Sequence, residues 1–228
     1  MKALDPGSHM KILSIDTSTT LGSVALVDSG RIVAERSYEA TNSHAELLMK
    51  TVDSVLKIAK TKAGDVDLFA AAIGPGSFTG LRIGLATAKG MAVACGRPIC
   101  GVSSLSAILS AHGDGDAVAV IDARKGELYV ALAGIKETSM TVETLIGKMK
   151  ELGGGTTLVG DGIERYKEML DAGLKGKYRI VGLKDLKTTT ASSVAKLAED
   201  KFNAHGADDI IHLIPNYIRK SEAEVRHP

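Results

Sequence analysis

Tryptophan is absent from the 228 residues, and the other aromatic side chains are three Phe and five Tyr. That scarcity excludes a core built around large rings. The interior must instead use aliphatic side chains and close backbone approach, which suits 44% hydrophobic residues and 25 Gly. Cysteine is scarce as well: Cys95 and Cys100 stand alone, too few for a zinc set or a disulfide scaffold. They read as reduced, partly buried thiols of a cytoplasmic protein. No apolar run reaches the roughly 20 residues that span a bilayer, so no membrane association is expected. The net charge is only +1, which gives no electrostatic argument for holding nucleic acid unaided. If RNA is handled at all, contact is indirect, with a partner carrying most of the phosphates.

What is present is a patterned α/β chain. Residues 1–9 end in G-S-H before Met10 and read as the remnant of an expression tag. From Lys11 three β-rich runs follow, K-I-L-S-I-D-T-S, L-G-S-V-A-L-V-D-S-G and R-I-V-A-E-R-S-Y-E, with Asp28-Ser29-Gly30 as a hairpin turn. Ser43 and Glu46 form a capping box that opens a helix with apolar residues at Leu48, Val52, Val55, Leu56 and Ala59. Leu68 to Ile73 is an unbroken apolar run typical of a buried parallel strand. Next come a glycine loop, a helix over about 81–94, a strand over 98–102 and a helix over 103–110.

The second half echoes this order more faintly. It gives strands over 117–122 and 127–132, a helix over 142–152, a strand over 157–160, and helices over 163–172 and 192–205. Gly153-Gly154-Gly155 reads as a loop rather than a phosphate cradle, because no helix follows it directly. Hairpin strands followed by alternating strands and helices, twice over, predict an actin-like (ASKHA, ribonuclease H-like) α/β fold of two lobes with a reduced second lobe. The expected division is 10–110 for the first lobe, 111–205 for the second, and a tail over 206–228 packing back on the first.

Two groups of residues carry candidate chemistry. Asp16, Thr17 and Ser18 end the first strand where actin-like phosphotransferases place a carboxylate near metal or phosphate. Ser18 stands where those folds need glycine, and a turn-stabilising role for Asp16 is the alternative. With Gly74, Gly76 and Ser77 of the loop G-P-G-S-F-T-G, these residues form a candidate nucleotide site. The loop is neither a P-loop nor a dinucleotide fingerprint. Asp122 to Glu127 reads as a solvated hairpin or a polar ligand contact, and Asn216 to Arg219 as a tail pin or a partner contact. No nucleophile with its base is evident. His44 has Leu48 one helical turn later, where a metal-binding pair needs a second ligand, so no metal is expected.

The second group lies on the two first-lobe helices. Gly80, Gly84, Ala88 and Met91 place small residues on one face, and interior helical glycines make sense where a neighbour presses closely. That neighbour is another helix, of this chain or of a second one. His44, Leu47, Leu48 and Val55 extend the candidate contact surface, because Leu47 and Ile58 widen the apolar arc beyond one stripe.

I-D-T-S at Ile15 to Ser18, S-H-A-E-L-L at Ser43 to Leu48, G-P-G-S-F-T-G-L-R-I-G at Gly74 to Gly84, D-A-R-K-G-E-L-Y at Asp122 to Tyr129 and P-N-Y-I-R at Pro215 to Arg219 together resemble the TsaB (YeaZ) family. The resemblance implies a non-catalytic subunit required, with TsaD and TsaE, for threonylcarbamoyl transfer to adenosine 37 of tRNAs reading codons that begin with A. It further implies a heterodimer with TsaD through the first-lobe helices and a homodimer when TsaD is absent. No tightly bound cofactor is expected, and ATP or ADP would sit at the interface of the complex. The competing reading is an actin-like phosphotransferase or metallopeptidase acting alone.

Overall fold

Five of the six residues of β1 (Lys11–Asp16) are buried, because this strand lies at the centre of its sheet and is covered on both faces. A computed structural model describes residues 9–40, 44–113, 116–132, 135–152 and 155–218. β1 pairs antiparallel with β2 (Leu21–Asp28), which pairs antiparallel with β3 (Arg31–Glu39). Ser29 and Gly30 turn that hairpin with φ of 52° and 73°, the left-handed pair that a tight two-residue connection requires. On its other side β1 pairs parallel with β4 (Leu68–Gly74), and β4 with β5 (Ile99–Ser103). The helices between these strands are α1 (His44–Ile58) and α2 (Phe78–Cys95). The capping residue expected at Ser43 lies outside the described residues.

The second sheet repeats the first strand for strand. β6 (Ala117–Arg124), β7 (Glu127–Leu132) and β8 (Ile135–Thr141) form the antiparallel part. β9 (Thr157–Gly160) and β10 (Arg179–Gly182) extend it in parallel, giving the order β8-β7-β6-β9-β10 against β3-β2-β1-β4-β5. The reduction is in element length. β9 and β10 have four residues each, while α4 (Val142–Glu151) and α5 (Lys167–Leu174) have 10 and 8 against 15 and 18 in α1 and α2.

Each unit closes with a helix, α3 (Ser104–His112) after β5 and α6 (Thr190–His205) after β10. Chain order would keep α3 with the first sheet and α6 with the second, but α6 packs on the first sheet and α3 mainly on the second, with Ala107 still against the first. Val194, Ala195 and Ala198 of α6 are buried on the first sheet with Ile12, Leu68 and Val102. Leu105 and Ile108 of α3 are buried on the second with Ala119, Ile121 and Val159. The two crossing helices also contact each other, joining the lobes.

A matched pair of carboxylates shows the duplication in side-chain detail. Glu35 of β3 accepts from the Thr189 amide and hydroxyl, each at 3.1 Å, and from the Ser192 hydroxyl at the start of α6. Glu137 of β8 accepts from Ser103 and from Ser106 (3.2 Å) at the start of α3. Both place negative charge where helix N-termini favour it.

The tail after α6 spans both lobes. The Asp208 amide donates to the Ile99 carbonyl, and its carboxylate takes the Gly101 amide (2.7 Å) and Lys201 (2.7 Å). Leu213 is buried in the first-lobe core, and the Asn216 amide donates to the Ile73 carbonyl. Tyr217 stacks on Phe78 and accepts from Arg82, while Ile218 packs against the second-lobe cluster around α3. The tail thus pins to the first lobe through residue 217 and reaches the second at Ile218. Arg219 lies outside the described residues.

Candidate functional site

The loop from Gly74 to Gly80 lies directly on the turn between β1 and β2. The Ser77 amide donates to the Ser18 carbonyl at 2.7 Å, and a Cβ on Gly76 would collide with that same carbonyl oxygen. Gly74 carries φ of 114° and leaves room for the Asn216 carbonyl. Ser77 caps α2 by accepting from the Gly80 amide at 3.2 Å. These contacts leave Asp16, Thr17, Ser18 and Thr19 at most 4% exposed. Asp16 accepts from the Ser18 amide (2.9 Å), the turn-stabilising role.

The candidate nucleotide residues Asp16, Thr17, Ser18, Gly74, Gly76 and Ser77 are therefore brought together, but against one another and not around a cavity. The space a phosphate would occupy beside the β1–β2 turn is filled by the loop, so these residues do not fit that group. Ser18 Oγ is a buried side-chain atom without a hydrogen-bond partner among the described residues.

The small-residue face of α2 receives the same turn. Thr17 Oγ1 donates to the Gly80 carbonyl at 2.7 Å, and Cβ atoms on Gly80 and Gly84 would strike the Thr17 carbonyl and hydroxyl oxygens. Ala88 is fully buried, and Met91 packs against the first-lobe core. Leu48 and Val55 of α1 are buried in the same core. Gly80, Gly84, Ala88, Leu48 and Val55 therefore face their own lobe, which corrects the expectation that they form the docking surface. The glycines answer to Thr17, an internal neighbour.

His44 is also occupied internally. The Thr19 carbonyl can only accept, so Nε2 carries the proton and donates to it at 2.9 Å; Nδ1 then accepts from the Tyr38 hydroxyl at 3.1 Å. Burial pushes the His44 pKa below its ordinary value, against the opposing pull of the Thr19 carbonyl and Asp16. Leu48 stands one turn on, and no three His, Cys, Asp or Glu side chains gather as a metal site among the described residues.

Among the residues of these helices that are not fully buried are two stripes of identical spacing. Leu47, Thr51, Ser54 and Ile58 run along α1, and Ile83, Thr87, Gly90 and Ala94 along α2, none of them fully buried. Thr51 donates its hydroxyl to the Leu47 carbonyl (2.9 Å) and Thr87 to the Ile83 carbonyl (2.8 Å). Each hydroxyl is thus satisfied within its own helix. A Cβ added at Gly90 would meet nothing within 4 Å, so no neighbour among the described residues accounts for that glycine. Leu47 and Ile58 of the first stripe were read from the sequence as widening the apolar arc, and Met91 flanks the second; Thr51, Ser54, Ile83, Thr87 and Ala94 were not singled out, because spacing alone does not separate an internal from an external neighbour.

A second feature lies between the lobes. A cavity of about 740 Å³ is walled by Thr20 and Leu21 of the first lobe and by the ends of β9 and β10 of the second. Asp161 stands on its wall in the G-D-G sequence after β9, the counterpart of G-P-G after β4. Its carboxylate accepts from the Asp122 amide at 3.1 Å, and Gly162 packs on Asp122 as Gly76 packs on Ser18. Asp122 itself accepts from Arg165 and Tyr166, both at 3.1 Å, and from the Arg124 amide at 2.8 Å. The hairpin, read from the sequence as solvated or as a polar ligand contact, is tied down at its base. Asp161 was missed because a lone G-D-G carries no recognised signature.

Comparison with known proteins gives this geometry a family. The family described as "TsaD: tRNA N6-adenosine threonylcarbamoyltransferase" matches residues 32–227. The chain is 30% identical to the tRNA threonylcarbamoyladenosine biosynthesis protein TsaB of Bacillus subtilis, over 95% of this chain and 97% of the relative. It is likewise 30% identical to TsaB of Escherichia coli, over 96% and 99%. Among solved structures, YeaZ from Pseudomonas aeruginosa superimposes with a TM-score of 0.72 at 28% identity, covering 91% of this chain and 99% of that one. Component A of the Acidaminococcus fermentans (R)-2-hydroxyglutaryl-CoA dehydratase shares only the fold, with a TM-score of 0.51 at 12% identity, over 84% of this chain and 98% of that one. Within the sequence family of threonylcarbamoyltransferases, the chain belongs to the TsaB (YeaZ) branch.

Proposed function

We propose that this chain is a non-catalytic subunit of the machinery that makes threonylcarbamoyladenosine in tRNA, and that it docks on a TsaD-type transferase through the outer stripes of α1 and α2. The observation that carries the reading is Gly90. An exposed helical glycine costs about 1 kcal/mol relative to alanine, and among the described residues nothing takes advantage of the space it leaves. A helix from another protein approaching that point explains it. The matching Leu47–Ile58 stripe, with the Thr51 hydroxyl bonded to its own helix, offers such a helix an apolar residue at each end.

The non-catalytic assignment is supported by occupancy of the candidate chemistry. His44 is committed to Thr19 and Tyr38, Leu48 stands where a second ligand would be needed, and Asp16 is committed to its own turn. Transfer to adenosine 37 is then the partner's reaction, a TsaE-type ATPase is the third member, and tRNA is reached through the complex in the cytoplasm. Nucleotide, where it enters, sits at the joint surface with TsaD. Without TsaD the same stripes pair two copies of this chain.

The test mixes the purified chain with a TsaD-type protein and reads the mass by light scattering and the product in a tRNA modification assay. Ile58→Glu and Gly90→Phe should abolish the complex while leaving the chain folded by circular dichroism. Normal assembly by both variants would sink the assignment of this face. Carbamoyl transfer by the chain alone would sink the non-catalytic reading.

A further inference from the structure

Arg82 heads a ridge on α2 that carries no other charge. Arg82, Ala86, Gly90 and Ala94 stand one helical turn apart, and all four are exposed. The 18 residues of α2 include no acid and two cations, Arg82 and Lys89. Lys89 is engaged, its Nζ donating to the Leu213 carbonyl at 3.0 Å. Arg82 is held in place without being neutralised. Its guanidinium lies over the Phe78 ring, 3.7 Å from the centroid, and its Nε donates to the Tyr217 hydroxyl at 3.0 Å. Tyr217 in turn stacks on Phe78, the centroids 4.9 Å apart, so the three side chains brace one another. Among the described residues no carboxylate pairs with Arg82, and neither Nη has an acceptor.

We propose that Arg82 sets the register of the partner on this face by taking a carboxylate of the partner's docking helix in a two-bond fork, an inference that rests on the docking reading above. Nη1 and Nη2 together match the two oxygens of a carboxylate. An arginine ordinarily loses conformational freedom on binding, and here Phe78 and Tyr217 have restricted it in the free chain. A lone charge on a ridge of small residues is also directional, because one placement of an opposing helix brings its acid within reach. At a rise of 1.5 Å per residue, Arg82 lies about 12 Å along α2 from Gly90. The partner's acid therefore belongs about two turns from the residue that covers Gly90.

A phosphate is the competing anion. A nucleic-acid strand asks for a run of free cations or for open aromatic faces. Lys89 is turned to the tail, and the Phe78 ring is already stacked with Tyr217 beneath Arg82. A single protein carboxylate suits this arrangement better.

Titration calorimetry of the full chain against a TsaD-type protein, both stripped of nucleic acid and nucleotide, tests the fork. Arg82→Glu should weaken association by about a hundredfold or more. Arg82→Lys keeps the charge but not the fork and should weaken it by about tenfold. Tyr217→Phe keeps the ring, frees Nε and should have a smaller effect than Arg82→Lys. Melting of each variant alone reports its folding, and the two milder variants carry the test if Arg82→Glu does not fold. Among the acids on the partner's contacting helices, changed to arginine one at a time, one should restore binding to Arg82→Glu and weaken it for the unsubstituted chain. Unchanged affinity of the Arg82 variants overturns the proposal, and so does failure of every such reversal. An Arg82 effect that appears only after tRNA or ATP is added assigns the guanidinium to a phosphate and overturns it too. Gly90→Phe keeps the two readings apart. If it blocks association while Arg82→Glu does not, the fork is lost and the docking face stands; if it binds normally, the face is lost and the register with it.

Discussion

Thr17 and Gly84 are in contact: the threonine hydroxyl lies where a side chain on the glycine would begin. The same hydroxyl donates to the Gly80 carbonyl, so the β1–β2 turn and the first turns of α2 are joined through a single oxygen. Gly84→Ala should therefore destabilise the isolated chain by about 1–3 kcal/mol through overpacking. Thr17→Ala should also destabilise it, through the lost hydrogen bond, by about 1 kcal/mol. Because the methyl introduced at 84 fills the space vacated at 17, the double variant should be less destabilised than the sum of the two. Urea unfolding of the four proteins measures that coupling, and strict additivity would show that the two residues do not oppose each other.

This contact also marks how far the sequence could be read. The spacing of Gly80 and Gly84 on α2 announced that something presses on that face, but letters do not say whether the neighbour is a turn 63 residues earlier or another molecule. Thr17 became visible as the neighbour only once β1 and α2 were placed. The alternating and apolar runs of β1, β2, β4 and β9 were legible because buried strands demand them. β8 was missed because I-K-E-T-S-M-T is polar, as an edge strand can be, and β10 because R-I-V-G, at the other edge and only partly buried, offers just two apolar residues. The exchange of α3 and α6 between the sheets was illegible for a different reason. Chain order fixes which helix follows which strand, not which face of which sheet receives it.

Ser18 gives a test that separates a ligand role from a packing role. Its hydroxyl is buried without a partner among the described residues, and an unsatisfied buried polar group costs about 1–3 kcal/mol. Ser18→Ala removes that group with little change of shape. Unfolding experiments should show the variant as stable as the unsubstituted protein or up to about 1 kcal/mol more so. Loss of stability would mean that the hydroxyl has a bonding partner, such as an ordered water.

His44 predicts an acid sensitivity whose sign follows from its burial. Its folded pKa is depressed, so the stabilisation it provides is present above the unfolded value near 6.5 and is lost as pH falls through the folded one. Protonation puts a second N–H on the ring at Nδ1, where the Tyr38 hydroxyl now donates. Thermal melts from pH near 7.5 down to near 4.5 should show a decline that His44→Gln flattens, at a lower plateau. An unchanged slope in that variant would mean that other groups carry the acid dependence.

Gly90 separates what the chain needs for itself from what it offers to a partner. Its Cβ position is open and its helix interior, so Gly90→Ala should stabilise the isolated chain by about 0.5–1 kcal/mol in urea unfolding. A small methyl should leave association nearly unchanged. Gly90→Phe should also leave the isolated fold intact, because the position is exposed and its Cβ would meet nothing within 4 Å among the described residues, yet it places a large group where a helix from a TsaD-type protein must approach. Titration calorimetry should then show association lost for the phenylalanine variant and retained for the alanine one. Gly84 substitutions are expected to fail differently, by lowering the melting temperature of the chain alone. Equal affinity for Gly90→Phe and the unsubstituted protein would mean that this glycine is an unexploited defect, and the partner face would have to be sought elsewhere.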